Sequence, residues 1–453
     1  MTDNITETAS LYALEDKPTL PKALAGALAH YFSIIASILT APLLIALAIG
    51  IDEPSTRYVI STSVVISGIA TFIQIRRFGL LGSGLLAIQG TSFAFIAAMG
   101  YAASLFPPEI SRETVLGTIL GSAAVGGLIC IGLAFCVEQL RKIITPAVTG
   151  VTICILGLSL LWSAINNFSF AVSIAPADQG TAVISQGVFT IFIICLLATR
   201  ANPYLRLVSI SVGILAGVFL ALTLGTYALP ESSAESLFFV PTPWRFPLGF
   251  DPLVLLILMP IFLVSLTESV GDLTATSLVS NLPIKGPDYL RRLRGGLAAD
   301  GFNSALAAVF GTFPNTTFSQ NNAVIRLTGI ASRSVGMLVA LLLVVSGCMT
   351  WVTLLFVSLP GTVIHGATAV LFAVIAYTGL NIIRTRTHSR GAIVLVISCL
   401  GALVFLQLPQ FFTAIQLDVP EVITIILGFP VATGTFLAIL TDAMLRPPLE
   451  DSA

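Results

Sequence analysis

Apolar runs long enough to cross a bilayer recur along the whole chain, and no stretch between them is long enough to fold alone. They lie near 24–50, 58–75, 83–105, 115–136, 146–165, 183–199, 207–229, 251–276, 296–312, 314–332, 334–357, 362–382, 391–408 and 421–444, about fourteen in all. Only 9% of the 453 residues are charged, against roughly 25% in soluble domains, too few to cover a water-facing surface. The fold class is therefore an all-α polytopic membrane protein.

Basic residues orient the spans. With an even span count and both termini cytoplasmic, 18 of the 21 Lys and Arg fall in inner loops or at inner span ends, and only Arg57, Arg112 and Arg245 fall outside. A missed or added span would scramble that bias. The first 22 residues are polar and carry no basic start or cleavage site, so they read as a retained tail rather than a signal peptide. Net charge is −1 and no basic run suggests nucleic acid. The six cysteines sit in apolar stretches without metal-ligand spacing and read as small buried hydrophobes.

Two stretches break the apolar pattern: "IQGTSFAFI" at 88–96 and "FPNTTFSQNNAVIRLTG" at 313–329. Each places small polar residues before an aromatic, and Phe93 and Phe318 stand about half a chain apart. Broken spans at matching places are a mark of inverted-repeat transporters with a midplane site. Two seven-span halves insert with opposite orientation, which agrees with the count. Thr316 to Ser319 reads as a short extended stretch, with Asn321 opening a half-helix and residues 90–95 as the counterpart.

Acidic residues within spans are few: Glu268, Asp272 and Asp300, with His30 in the first span. Glu268 and Asp272 share a helix face. A charge at the bilayer centre costs at least about 2.5–3.5 kcal/mol, so such groups face a cavity, pair, or carry protons. A carboxyl removed from water is easier to protonate, the property a proton-coupled carrier uses. The bland reading is a helix–helix hydrogen bond. His365 and His388 lie near span ends, and Trp162, Trp244 and Trp351 read as interface anchors or packing. The flanks of Asp272 (Ser269-Val270-Gly271) and of Asp300 (Ala298-Ala299) complete neither element of an intramembrane aspartyl protease, and no HExxH or GxSxG occurs. An enzyme is excluded on those grounds, and no metal or cofactor is called for.

"QNNAVIRLTG", Gln320 to Gly329, resembles the signature of the nucleobase–ascorbate transporter family, with Ala323 where glycine is usual. "LEDKP" at 14–18, the histidine of "AH" at 29–30, "GSGLLAIQGTSFAFI" at 82–96, "TESVGDLTAT" at 267–276 and "GGLAADGFNS" at 295–304 extend the likeness along the chain, nearest to the bacterial xanthine-permease branch. The resemblance implies two inverted seven-span repeats, short antiparallel strands in spans three and ten, and a homodimer working as an elevator. It divides the chain into a tail (1–22), core (23–136 and 251–357), gate (137–250 and 358–446) and a C-terminal tail (447–453).

By the same resemblance Glu268 and Gln320 bind the base. Phe93 and Ser319 offer backbone groups, Phe318 a ring, and Ser92 tunes specificity. Asp272, Asp300, His30 and Asn321 serve coupling or site geometry. The implied activity is proton-coupled import of xanthine or urate across a bacterial inner membrane. Glutamine at 320 resembles purine-selective members, whereas uracil permeases tend to carry glutamate there. A pyrimidine permease and an anion transporter of the same architecture are the alternatives, and Glu268 opposes the second. The methyl of Ala323 is expected to intrude on a close approach.

Overall fold

The computed structural model describes residues 12–143, 145–230, 237–417 and 419–445. Asp3, Glu7, Arg446 and the C-terminal tail lie outside these. The elements run Leu20–Ile49 (α1), Glu53–Arg76 (α2), Gln89–Thr91 (β1), Phe95–Ser104 (α3), Arg112–Phe135 (α4), Val137–Ile143 (α5), Pro146–Ser173 (α6), Gly180–Ala198 (α7), Pro203–Leu207 (α8) and Ser209–Thr223 (α9). They continue as Pro252–Val279 (α10), Pro287–Val309 (α11), Asn315–Thr317 (β2), Gln320–Thr328 (α12), Arg333–Gly347 (α13), Thr350–Val357 (α14), Gly361–Arg386 (α15), His388–Ala414 (α16), Glu421–Leu427 (α17) and Pro430–Met444 (α18). Among the described residues, eight helices are long and apolar enough to cross a membrane unaided, so the chain is a multi-pass membrane protein.

Helix starts follow local chemistry. Ser111 and Thr145 accept from the backbone N–H groups of Thr114 and Val148, opening α4 and α6. Asp251 accepts from Leu253 and Val254 ahead of α10, where Pro252 occupies a position whose N–H would be unpaired anyway. Two runs that read as single spans, 334–357 and 421–444, are each two helices. The first breaks because the loop at 237–239 pairs with it: Phe239 N–H donates to Cys348 C=O at 2.8 Å. The second breaks at Gly428, ahead of Pro430. Of the cysteines, Cys130 and Cys154 are buried, but Cys136 and Cys195 are exposed, which corrects the expectation for those two.

The helices pack as two groups. One joins α6, α7, α9, α15, α16 and α18, and the other joins α1, α2, α3, α4, α10, α11 and α13, with α5 resting on α4 and α11. Contacts between the groups are thin, through α10 against α6, α17 and α18, through α1 against α8 and α9, and through α12 against α8. In the first group Asp442, with no exposed side-chain surface, is held by the guanidinium of Arg390 and by Thr145 Oγ1 at 2.8 Å. In sequence this acid is indistinguishable from other acids near span ends.

In the second group, α4 approaches the loop before α10 so closely that only glycine fits. A Cβ on Gly121 would lie 1.8 Å from the carbonyl oxygen of Gly249, and one on Gly117 2.0 Å from that of Pro247. Both obstacles are backbone and cannot rotate away. Gly121→Val is expected to destabilise the protein by about 3 kcal/mol or more. A thermal melt in detergent checks this; an unshifted melting temperature would show that the loop yields freely.

The end of the polar N-terminal tail is docked. Tyr12 N–H donates to Gly329 C=O at 3.1 Å, Ala331 N–H to Tyr12 C=O at 3.0 Å, and Arg333 N–H to Leu14 C=O at 2.9 Å. The Arg333 guanidinium joins Glu15 and also donates to Gly84 C=O. Residues 12–16 thus strap the loop after α12 to the approach of β1.

Candidate functional site

β1 and β2 pair antiparallel, with Gly90 opposite Thr316. Each leads into a short helix, α3 of 10 residues and α12 of nine. At about 1.5 Å per residue these span about 15 and 14 Å, half of a hydrocarbon core of about 30 Å. Both start in the interior beside the strand pair, so their positive N-terminal ends meet there. Ser92 N–H donates to Pro314 C=O at 3.0 Å and Phe318 N–H to Ile88 C=O at 2.9 Å. The backbone N–H groups of Phe93 and Ser319 have no acceptor among the described residues.

Two phenylalanines meet across this crossing. The rings of Phe93 and Phe318 are near-parallel, tilted 20° with centroids 6.4 Å apart. Phe372, from α15 in the other group, stands edge-on to Phe93 at 5.5 Å. A flat heterocycle between two rings needs about 7 Å, so the pair has to open slightly to admit one. Phe318 lies directly over Gly90, where a Cβ would fall 2.8 Å from its Cζ and 3.1 Å from Ile38 Cγ1. Glycine at 90 is what lets the ring lie flat on the strand.

The wall opposite is α10. Glu268, Asp272 and Thr276 share one face, and Thr276 Oγ1 donates to Asn322 Oδ1 at 2.7 Å, which sets that face along α12. Glu268 and Asp272 are half-buried, and neither carboxyl has a protein partner among the described residues. Gly271 between them faces open space. Gln320 is half-buried and Ser319 exposed, on the same open side of α12 as Ala323 and Arg326. The Ala323 methyl therefore does not intrude on a neighbour, which corrects that expectation; Arg326 lies a turn further from the crossing.

Asp300 is elsewhere. It is 4% exposed, on α11 behind the crossing, and accepts from Ser269 Oγ and, at 3.4 Å, from Gln74 Nε2. Ser269 Oγ also lies 3.2 Å from Thr316 Oγ1. One chain of polar groups thus joins α2, α11, α10 and β2. Ser269 and Gln74 carry no signal in sequence beyond being polar in apolar helices, whereas Thr316 stands in the polar break already read as extended. Ser269 follows Glu268 directly, so α10 presents its site face and its Asp300 contact at adjacent residues.

The remaining residues brace the crossing. Asn321, fully buried, donates to Leu86 C=O and pins the start of α12 to the approach of β1. Ser92 Oγ accepts from Ala94 N–H at 3.3 Å and so shapes its own turn. His30 is fully buried on α1, and neither ring nitrogen has a partner among the described residues. His365 lies on α15 in the other group of helices.

A family model described as "Permease family" (Xan_ur_permease) matches residues 21–408. Xanthine permease XanP of Escherichia coli (strain K12) is 37% identical over 454 residues, covering 96% of this chain and 95% of its own. The uric acid-xanthine permease of Emericella nidulans is 29% identical over 415 residues, covering 84% of this chain and 72% of its own. Among solved structures, the transmembrane domain of a cyanobacterium bicarbonate transporter, BicA, superposes with a TM-score of 0.55 at 12% identity, over 94% of this chain and 98% of that one. The last likeness is one of fold.

Proposed function

The chain belongs to the nucleobase–ascorbate transporter family, and on that premise we propose that it carries a purine nucleobase, xanthine or urate, inward across a bacterial inner membrane together with protons. Its relatives are permeases, and the protein is a transporter, not an enzyme. The observation that carries the reading is the near-parallel pair Phe93 and Phe318 at the crossing of two half-spans, with Glu268 on the facing helix α10 without a partner among the described residues.

A purine has apolar faces and a rim of donors and acceptors. The two rings cover its faces. Glu268 accepts from ring N–H groups, while the Gln320 amide both donates and accepts. The N–H groups of Phe93 and Ser319 point donors at ring carbonyls. Ser92 sets the turn that aims Phe93, and Asn321 holds α12 in register. Asp272, Asp300 and His30 provide titratable groups for the coupled proton. An anion carrier would want positive charge where Glu268 stands.

The two packing groups suggest the motion. We read the group of α1–α5 and α10–α14 as a core, in two inverted halves, that slides against the gate of α6–α9 and α15–α18 in a homodimer. This moves the notional boundary at 137 to after α5, which packs with the core. Thin contacts between the groups make sliding cheap relative to deforming either.

In vesicles, uptake of radiolabelled xanthine should be competed by urate and not by uracil, and a protonophore should reduce it to equilibration. Competition by uracil instead would transfer the site to pyrimidines. Uptake indifferent to the protonophore would remove proton coupling.

A further inference from the structure

A cavity lies at the end of the bundle where the arginines collect, away from the crossing. It has a volume of about 410 Å³ and is bounded by the turn after α2, the junction of α4 with α5, and the start of α11. That is within the range of small-molecule sites, about 300–1,000 Å³. Gly82 N–H donates to Gly295 C=O at 2.8 Å beneath it, so the turn and α11 form one base.

Its chemistry is divided. Arg77, Arg291 and Arg294 line it, with Glu138. Arg294 is paired with Glu138, and Arg291 with Asp288 at 3.1 Å. Arg292 turns away to Pro283 C=O. Arg77 has no acidic partner or side-chain acceptor among the described residues, so of the arginines lining the cavity it is the one left without a counter-charge. The rim is apolar: Leu80 is 70% exposed and Phe135 47%. Phe135 and Leu128, seven residues apart on α4, continue that surface along the helix toward the membrane interior.

We propose that this cavity binds the headgroup of an anionic phospholipid, its phosphodiester on Arg77 and its acyl chains over Leu80 and Phe135. An anionic headgroup matches the excess positive charge around Arg77, and a guanidinium fork suits phosphate oxygens. The exposed apolar rim favours a lipid over a free phosphate, which would leave Leu80 and Phe135 in water. Because the turn precedes β1 and α11 carries Asp300, the lipid would clamp the bases of both halves of the substrate site from one end.

The test uses the full chain in detergent, melted with phosphatidylglycerol, with phosphatidylcholine, or with inorganic phosphate. Phosphatidylglycerol is expected to raise the melting temperature by roughly 2–4 °C. Arg77→Asn should weaken its apparent affinity about tenfold. Asparagine suits this position because Arg77 has φ +63°, a left-handed conformation it tolerates. Leu80→Ser, on the exposed tip, should weaken it too without changing the lipid-free melt. Equal stabilisation by phosphatidylcholine, or an unchanged phosphatidylglycerol effect in both variants, overturns the proposal. Full stabilisation by inorganic phosphate also overturns it, assigning the cavity to a free anion.

Discussion

Xanthine uptake by Glu268→Gln is expected to fall about a hundredfold while the protein melts at an unchanged or higher temperature. Glutamine keeps the size of glutamate and one acceptor, but it sets an NH₂ donor where a purine N–H wants an acceptor. Losing one partner of a desolvated charged contact costs about 2–5 kcal/mol, which spans roughly thirty- to several-thousandfold in binding. Stability should hold because the Glu268 carboxyl has no protein partner among the described residues to lose. Uptake kinetics and a melt on the same preparation check both halves. Uptake left intact would remove Glu268 from the site, and a collapsed melt would make its role structural.

Asp300→Asn is expected to separate binding from accumulation. Asparagine fits the same space and still offers one oxygen to Ser269 or Gln74. Purine binding, read by ligand-induced stabilisation, should stay within about threefold of wild type, under about 1 kcal/mol. Uphill accumulation should disappear, because an amide cannot carry the proton. By contrast, Asp300→Leu removes the shared acceptor, leaving Ser269 only Thr316 and Gln74 Nε2 only the 3.4 Å contact to Gly296 C=O, at about 1 kcal/mol for each bond lost. If Asp300→Asn accumulates xanthine normally and loses it to a protonophore, the proton travels elsewhere, with Asp272 and His30 next to be tested.

The sequence announces the membrane helices because a bilayer demands long apolar runs, and it announces the two breaks because polar clusters are otherwise intolerable there. The strands fall at Gln89–Thr91 and Asn315–Thr317, a residue before the stretches read as extended. What sequence does not carry is what lies across a gap. Ser269, Gln74 and Thr316 become one network only when three helices and a strand meet. Asp300 reaches α10, which carries Glu268 and Asp272, through Ser269, from a buried place behind the strand pair that no residue pattern announces. Ala323 seemed crowded by analogy with glycine, and its face is open. The docked segment 12–16 looked like plain tail because its pairing is by backbone, which leaves little trace in side-chain pattern.

That pairing also sets a timetable. Gln89 Nε2 donates to Thr317 Oγ1, 228 positions later, and Tyr12 waits for Gly329. During synthesis the first half is threaded into the bilayer with its strand unpaired, a costly state in hydrocarbon. Contacts so distant along the chain form slowly. The nascent first half therefore resembles a quality-control substrate until residue 333 emerges, when strand and strap close together. A ribosome stalled before β2 would expose a half-protein for degradation, whereas a chain released past residue 333 can close strand and strap.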